Sequence, residues 1–222
     1  MAQRRTLIVS GEIYHIFNRS VGKQPIFLSV RDYQRGLDTI KFYRFERPSL
    51  RFSFYDRLKE NEKEKFMSEL LEKGTPIVEI FCFCLMPNHM HFLLKGLTEH
   101  GISQFIGNLQ NSYAKYFNKK YKRTGTLFQQ NFKAVRIESD EQLMHVSRYI
   151  HLNPVTSYLI KPENIDSYEW SSFKAYLRKD SEMVNADPIM NNFKSHDKYR
   201  RFVLDQVDYQ RRLDAIKHLI ME

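Results

Sequence analysis

His89 and His91 stand one residue apart in "MPNHMHFLL" (Met86–Leu94), a stretch that is otherwise largely apolar. In an extended strand, residues two apart project to the same face, about 6.5–7 Å from each other. Two imidazoles converging from one face can hold a divalent cation if a third ligand arrives from elsewhere. The same pair could be hydrogen-bonded aromatic fill in a half-buried sheet, and the spacing leaves both readings open. A second constellation lies downstream. His145, Tyr149 and Asn153 recur at every fourth position of "SDEQLMHVSRYIHLNP" (Ser139–Pro154), so one helix face carries all three. Read alone, this would be a surface tyrosine ahead of an Asn-Pro helix stop. Read with the histidines, it describes one chemistry. His89, His91 and the Asn153 amide oxygen would hold a cation, the cation would bind a phosphate oxygen, and Tyr149 would be the nucleophile. A phenol with a pKa near 10 is ionised in only about one molecule in a thousand at pH 7, a handicap of roughly 4 kcal/mol. A proton acceptor is therefore needed, and His145 and His151 are the candidates. A phosphotyrosine ester conserves bond energy, so a strand could be cut and rejoined without ATP.

Between the two constellations the chain is basic. No acidic residue occurs from Gly101 to Ile137, while Lys115, Lys119, Lys120, Lys122, Arg123, Lys133 and Arg136 supply cations. These are candidate phosphate contacts. Tyr113, Tyr116, Phe117, Tyr121, Phe128 and Phe132 interleave with them and could stack unpaired bases, although the helical stripe already claims several. The formal net charge of +9 over 222 residues extends the theme to the whole chain and favours a polyanionic partner, nucleic acid before a membrane surface. No run of about 18 apolar residues is present to cross a bilayer. The apolar patch ahead of Gly11 and Glu12 is too short for a secretion signal. Cys82 and Cys84 sit i, i+2 in a strand-like run, poorly placed for a disulfide, which suits buried small hydrophobes in a reducing, cytoplasmic compartment.

The elements that must position these groups can be read from periodicity. "EIYHIFNRS" (Glu12–Ser20) alternates as a strand. Helical spacing follows over Ser29–Glu46, and the densely charged Tyr55–Gly74 reads as a helical insertion. Val78–Met86 and His89–Gly96 are apolar strands joined at the Pro87-Asn88 turn. Gly101–Gly125 is a long amphipathic helix and Thr126–Ile137 is extended. Ser139 or Asp140 caps the Tyr149 helix, and Pro154 stops it. The order strand, helix, strand pair, helix, strand, helix predicts an α+β fold with an antiparallel sheet and helices packed mainly on one face.

Five segments also occur in a familiar order: "YHIFNR" (Tyr14–Arg19), "MPNHMHFLL", "YFNKKYKRTGTLFQQNFK" (Tyr116–Lys133), "YIHLNPV" (Tyr149–Val155) and "YEWSSFKAY" (Tyr168–Tyr176). In this the chain resembles the REP-associated tyrosine transposases, of the single-tyrosine, His-hydrophobic-His transposase superfamily, from about residue 12 to residue 178. The resemblance implies a ferredoxin-like antiparallel sheet, with His89 and His91 as metal ligands and Tyr149 as the nucleophile. Asn153 takes the position of a third ligand, which is Gln in related transposases, and the ion would be Mg²⁺ or Mn²⁺. It implies cleavage and rejoining of single-stranded DNA near hairpins through a 5′-phosphotyrosine, by a monomer or a homodimer. Residues 1–178 would form this domain and 179–222 a helical C-terminal extension, whose Lys198, Arg200 and Arg201 could touch DNA. A non-catalytic DNA- or RNA-binding module of the same fold is the alternative, and a hydrolase of small phosphoesters a remoter one. Both are separable by whether a covalent DNA adduct forms.

Overall fold

The computed structural model describes residues 7–178 and 182–212. The elements run β1 (Ile13–Arg19), α1 (Val30–Tyr43), α2 (Phe52–Tyr55), α3 (Glu60–Lys73), β2 (Val78–Met86), β3 (His89–Gly96), α4 (Gly101–Lys120), β4 (Lys133–Arg136), α5 (Asp140–Thr156), α6 (Phe173–Arg178), α7 (Asp187–Met190) and α8 (His196–Leu204). The four strands form one antiparallel sheet in the order β2-β3-β1-β4. This is the α+β, ferredoxin-like arrangement expected from the sequence, with a strand hydrogen-bonded between the two ends of each crossover.

Alternation decides what each face of the sheet carries. In β1, Tyr14, Ile16 and Asn18 are buried while Ile13, His15, Phe17 and Arg19 are half-buried. Register then fixes the neighbours: Ile16 pairs with Phe92, and Phe17 pairs with His91. Directly opposed residues share a face. One face therefore carries Tyr14, Ile16, Met90, Phe92 and Leu94; the other carries His15, Phe17, His89, His91 and Leu93. α1 and α4 cover the first face, where Phe92 meets Phe105 of α4 edge to face at 5.7 Å. Burying a ring of this kind contributes roughly 1.5–3 kcal/mol. The inward stripe of α4 is Ile102, Phe105, Ile106, Leu109, Tyr113 and Phe117, all buried.

The other face is refined relative to the expectation of helices mainly on one side. α5 packs there against β2 and β3, held by Ile150 and Leu152 in the core. Among the described residues the β1–β4 half of that face has no such cover, and Lys133 and Val135 are exposed on it. The two sheet edges also differ. β2 is paired outward by the Trp-Ser-Ser segment, where Leu85 N–H donates to Trp170 O at 2.8 Å and Ser172 N–H to Phe83 O at 3.0 Å. β4 is a short outer strand, and short edges limit unwanted pairing.

The charged stretch after α1 is helical, as expected. Glu62 accepts from the Lys59 N–H at 2.9 Å to cap α3, and α3 itself buries nothing. It is anchored by a satellite cluster in which Phe42, Phe52 and Tyr55 are buried with Phe66 and Met67 against them. α5 does not stop at Pro154. It runs on to Thr156, because a proline in the last turn forfeits only one intrahelical bond. Its last carbonyls are then taken by the Ser157, Leu159 and Ile160 N–H groups. Tyr199 and Val203 of α8 and Ile189 of α7 lie in the same core as the sheet. The expected extension thus packs on the domain as far as it is described, and 179–181 and 213–222 lie outside the described residues.

Candidate active site

β3 delivers His89 and His91 to the face that α5 covers, and α5 delivers Tyr149. The His89 and His91 ring centroids are 4.9 Å apart, with the planes at 82°. The Tyr149 ring stands edge-on to His91 at 5.5 Å. Ser139 fixes where α5 begins, its hydroxyl accepting from the Gln142 N–H at 3.2 Å. The two constellations that the sequence separates by more than fifty residues therefore meet.

Each imidazole is oriented by a partner. The Asn88 amide donates through Nδ2 to Lys23 O at 3.0 Å, which leaves its Oδ1 to face His89 Nδ1 at 2.6 Å. An amide oxygen can only accept, so His89 carries its proton on Nδ1 and keeps the Nε2 lone pair. Burial, with the Arg19 charge, lowers the His89 pKa to about 4, although the Asn153 side chain favours the charged ring. His89 is thus neutral at pH 7, the form that ligates a metal. Asn153 is buried; its Nδ2 donates to Tyr149 O at 2.8 Å, so the end it turns to His89 is the carbonyl oxygen. A nitrogen lone pair and an amide oxygen facing each other are a donor set that a cation satisfies, and in that respect His89, His91 and Asn153 fit one. Among the described residues, no group of three His, Cys, Asp or Glu side chains forms an alternative metal site.

A third imidazole, unremarked in the sequence, completes the cluster. His15 Nε2 lies 3.0 Å from His91 Nδ1. Its ring stacks on His91 at 5.2 Å and meets Tyr149 edge-on at 5.8 Å. Strand parity places His15 on one face of β1, but only the β1–β3 register brings it to His91.

The two histidines expected to accept the Tyr149 proton each have other partners. His151 is fully buried on the opposite side of α5, its ring nitrogens held at 2.7 Å by the Tyr199 hydroxyl and at 2.8 Å by the Ser172 hydroxyl. Burial lowers its pKa to about 3, so it is a neutral structural link. His145 is exposed, with Nδ1 against an Arg148 guanidinium nitrogen at 2.5 Å and its ring near Phe202 of α8.

The seven candidate phosphate contacts separate. Lys133 is exposed on the histidine face, its ammonium 5.8 Å from the Phe17 ring centroid. Arg136 is joined to Glu12 at 2.7 Å. Lys120 is joined at 2.7 Å to Asp32, a fully buried carboxylate that also accepts from Tyr116, Tyr121 and Ser29. Arg123 bonds back to Asn118, and Lys122 is exposed. Lys115 and Lys119 are exposed on the outer side of α4, across the sheet from the histidines. Of the interleaved aromatics, Tyr113, Phe117, Phe128 and Phe132 belong to the core, and Tyr116 and Tyr121 are tied to Asp32, so none of the six forms a stacking platform.

Residues 48–153 match the model of the family described as "Transposase IS200 like". A solved structure described as a REP-associated tyrosine transposase bound to a REP hairpin is similar in fold, with a TM-score of 0.53 and 18% sequence identity. That likeness covers 78% of this chain and 84% of the other. The search of the curated proteins returned no significant match. Among the described residues no helix is long and apolar enough to cross a membrane.

Proposed function

We propose that this chain is an IS200-like transposase, a metal-dependent enzyme that cleaves and rejoins single-stranded DNA near hairpins. Tyr149 is its nucleophile, and His89, His91 and Asn153 are the ligands of a Mg²⁺ or Mn²⁺ ion. The observation that carries this reading is the approach of the Tyr149 ring to His91 at 5.5 Å on the face that also holds His89 and Asn153. A divalent cation at these ligands supplies charge that polarises a phosphate and stabilises the negative charge developing on it.

The protein's own groups supply the rest. The Tyr149 oxygen attacks a backbone phosphorus; a Tyr–O–P bond forms and the P–O3′ bond breaks. The products are a 5′-phosphotyrosine and a free 3′-hydroxyl, with the phenol proton lost to solvent and one regained by the departing 3′ oxygen. Attack by a 3′-hydroxyl on the phosphotyrosine reverses the step and rejoins a strand. The β1–β4 half of this face is open, and Phe17, Val135 and Lys133 there offer a floor for the unpaired strand. His15 orients His91. With His91 donating its Nδ1 proton to His15, its Nε2 lone pair would be the one presented to the metal.

The test is a labelled hairpin with a single-stranded flank, incubated with Mn²⁺ and resolved on a denaturing gel. A shifted covalent band that vanishes with EDTA and in Tyr149→Phe, while Tyr149→Phe still binds the DNA, is expected. An adduct that persists in Tyr149→Phe would show that another residue is the nucleophile. No adduct with any hairpin would leave a non-catalytic binding module.

A further inference from the structure

The face that holds the histidines also holds a cation with no assigned part. Arg19 ends β1, and the β1–β3 register sets it directly opposite His89. Directly opposed residues share a face. Arg19 therefore stands beside a ligand of the candidate metal site, close enough for the His89 ring to feel its charge. Its backbone is pinned on both sides. The Arg19 N–H donates to Asn18 Oδ1 at 2.8 Å, and Arg19 O accepts from the Gln129 N–H at 2.9 Å. Asn18 is buried and donates in turn to Gln129 O at 3.1 Å. The charge itself is uncommitted. Arg35, Arg136, Arg200 and Arg211 are each paired with a carboxylate, and among the described residues Arg19 has no such partner. A half-buried guanidinium beside a donor set that fits a divalent cation is disfavoured by repulsion. An anion shared between the two relieves it.

Position along the strands decides which part of that anion Arg19 meets. Three rows cross the face: Arg19 with His89, Phe17 with His91, and His15 with Leu93. Residues two apart in a strand are about 6.5–7 Å from each other, so Arg19 and His15 stand about 13 Å apart. The Tyr149 ring approaches His91 at 5.5 Å and His15 at 5.8 Å. Asn153, one turn on in α5, reaches the His89 row. The donor set of His89, His91 and Asn153 therefore lies between the tyrosine and the arginine. In a displacement at phosphorus the attacking and departing oxygens are roughly in line. With the Tyr149 oxygen entering from the His15 end, the opposite oxygen leaves toward Arg19. We infer that Arg19 is a catalytic residue that receives the departing 3′ oxygen of the cut strand and stabilises its negative charge through a guanidinium N–H. The inference rests on the phosphotyrosine reading. The Tyr–O–P bond forms and the P–O3′ bond breaks. Its electron pair goes to O3′, which accepts a hydrogen bond from Arg19 and takes its proton from water. Arg19 keeps its own proton throughout, as a guanidinium does. Rejoining retraces the step, and the same N–H then orients the attacking 3′-hydroxyl.

The test changes the leaving atom. Adduct formation in Mn²⁺ would be followed with a hairpin strand of ordinary linkage and with one carrying sulfur in place of the bridging 3′ oxygen at the cut. A thiol with a pKa near 8.5 departs as the thiolate without a donor's help. Arg19→Gln should slow adduct formation about 10²–10³-fold with oxygen and less than about fivefold with sulfur. Arg19→Lys keeps the charge without the planar fork and should recover at least about tenfold of the loss with oxygen. Calorimetry without DNA should find Mn²⁺ bound at least as tightly by both variants as by the parent, since no ligand is touched and no cation is added; this also shows that they fold. An equal loss with oxygen and sulfur would overturn the inference, as would an Arg19→Gln rate equal to that of the parent. Mn²⁺ affinity falling in step with the rate would also overturn it, because Arg19 would then act by way of the ligands. No adduct in the parent with either strand would defeat the phosphotyrosine reading itself, and this inference with it.

Discussion

The two faces of the sheet both present cations, in opposite company. On the histidine face Lys133 stands beside the half-buried ring of Phe17 and the imidazole of His15. On the far face six exposed cations (Arg31, Arg47, Arg51, Arg57, Lys115 and Lys119) surround a groove between α1 and α4 whose rings are buried, packed against the satellite cluster or hydrogen-bonded. The difference teaches that charge counts alone do not say which form of DNA a surface takes. Rings left half-open beside a cation favour a strand with free bases, and cations without rings favour a duplex backbone. The faces also differ in what holds them. The histidine face is set by oriented imidazoles and the buried link at His151; the groove face is set by the carboxylate of Asp32.

The histidine face is broken most sharply at His15. His15→Phe keeps a ring in the stack but removes the Nε2 acceptor, freeing His91 to adopt the other tautomer. Loss of an outer-shell partner typically costs 10–100-fold in metal affinity, and a fall of about that size in Mn²⁺ affinity is expected. Calorimetry of Mn²⁺ binding reads this without any DNA. ¹⁵N NMR of the metal-free protein should show His91 protonated on Nδ1 in the parent and redistributed in His15→Phe. His15→Gln, which restores an accepting oxygen, should recover part of the affinity. An unchanged His91 tautomer in His15→Phe would remove His15 from the site. The groove face should be indifferent to both variants.

How much of this was legible follows from the range of each signal. The His-x-His pair and the Tyr149–Asn153 face were legible because periods of two and of about four are local. Their meeting was foreshadowed by shared chemistry and by the ordered motifs, not by spacing. His15 was not legible as a partner of His91, since strand register is set by pairing across 76 residues. His151 looked like a base because it lies two residues from Tyr149; on a helix that is the opposite side, and there it meets Tyr199. Lys120 counted as a free cation until Asp32, 88 residues earlier, was brought to it. Arg47 and Arg51 carried no assignment and Arg57 stood only in the charged insertion, because nothing local says that this stretch will fold against α4.

The groove face is tested at Asp32. Its carboxylate is fully buried, and burial alone would raise its pKa. Hydrogen bonds from Lys120, Tyr121, Tyr116 and Ser29 outweigh that and hold it at about 2. With an unfolded value of 3.8, the folded pKa is the lower one. Its contribution is therefore full above about pH 4 and lost as pH falls toward 2, and it amounts to about 2 kcal/mol at neutral pH. Asp32→Asn should cost at least about that much in denaturant unfolding and leave Lys120 without its charge partner. A loss below about 0.5 kcal/mol would mean that Asp32 is not the tie between α1 and α4. The metal affinity of the histidine face should not change.

The smallest effect separates the faces by pH. His151 and His89 are held near pKa 3 and 4 by burial, while unfolded histidine titrates near 6.5. Between about pH 6.5 and 4 the unfolded chain therefore binds more protons than the folded one, and stability falls as pH falls. Each group adds a slope approaching about 1.4 kcal/mol per pH unit. Asp32 begins to act only below this window, so the acid loss between pH 6.5 and 4.5 reports on these two histidines, His89 on the sheet face and His151 behind α5. His151→Gln keeps an amide able to donate to one of the Tyr199 and Ser172 hydroxyls and accept from the other, without a group that titrates. It should flatten the slope by about one proton, and replacing His89 as well should flatten it by about a second. If His151→Gln leaves the slope unchanged, His151 is already charged in the folded protein, and α5 is then held against the sheet by something other than a neutral imidazole between two hydroxyls.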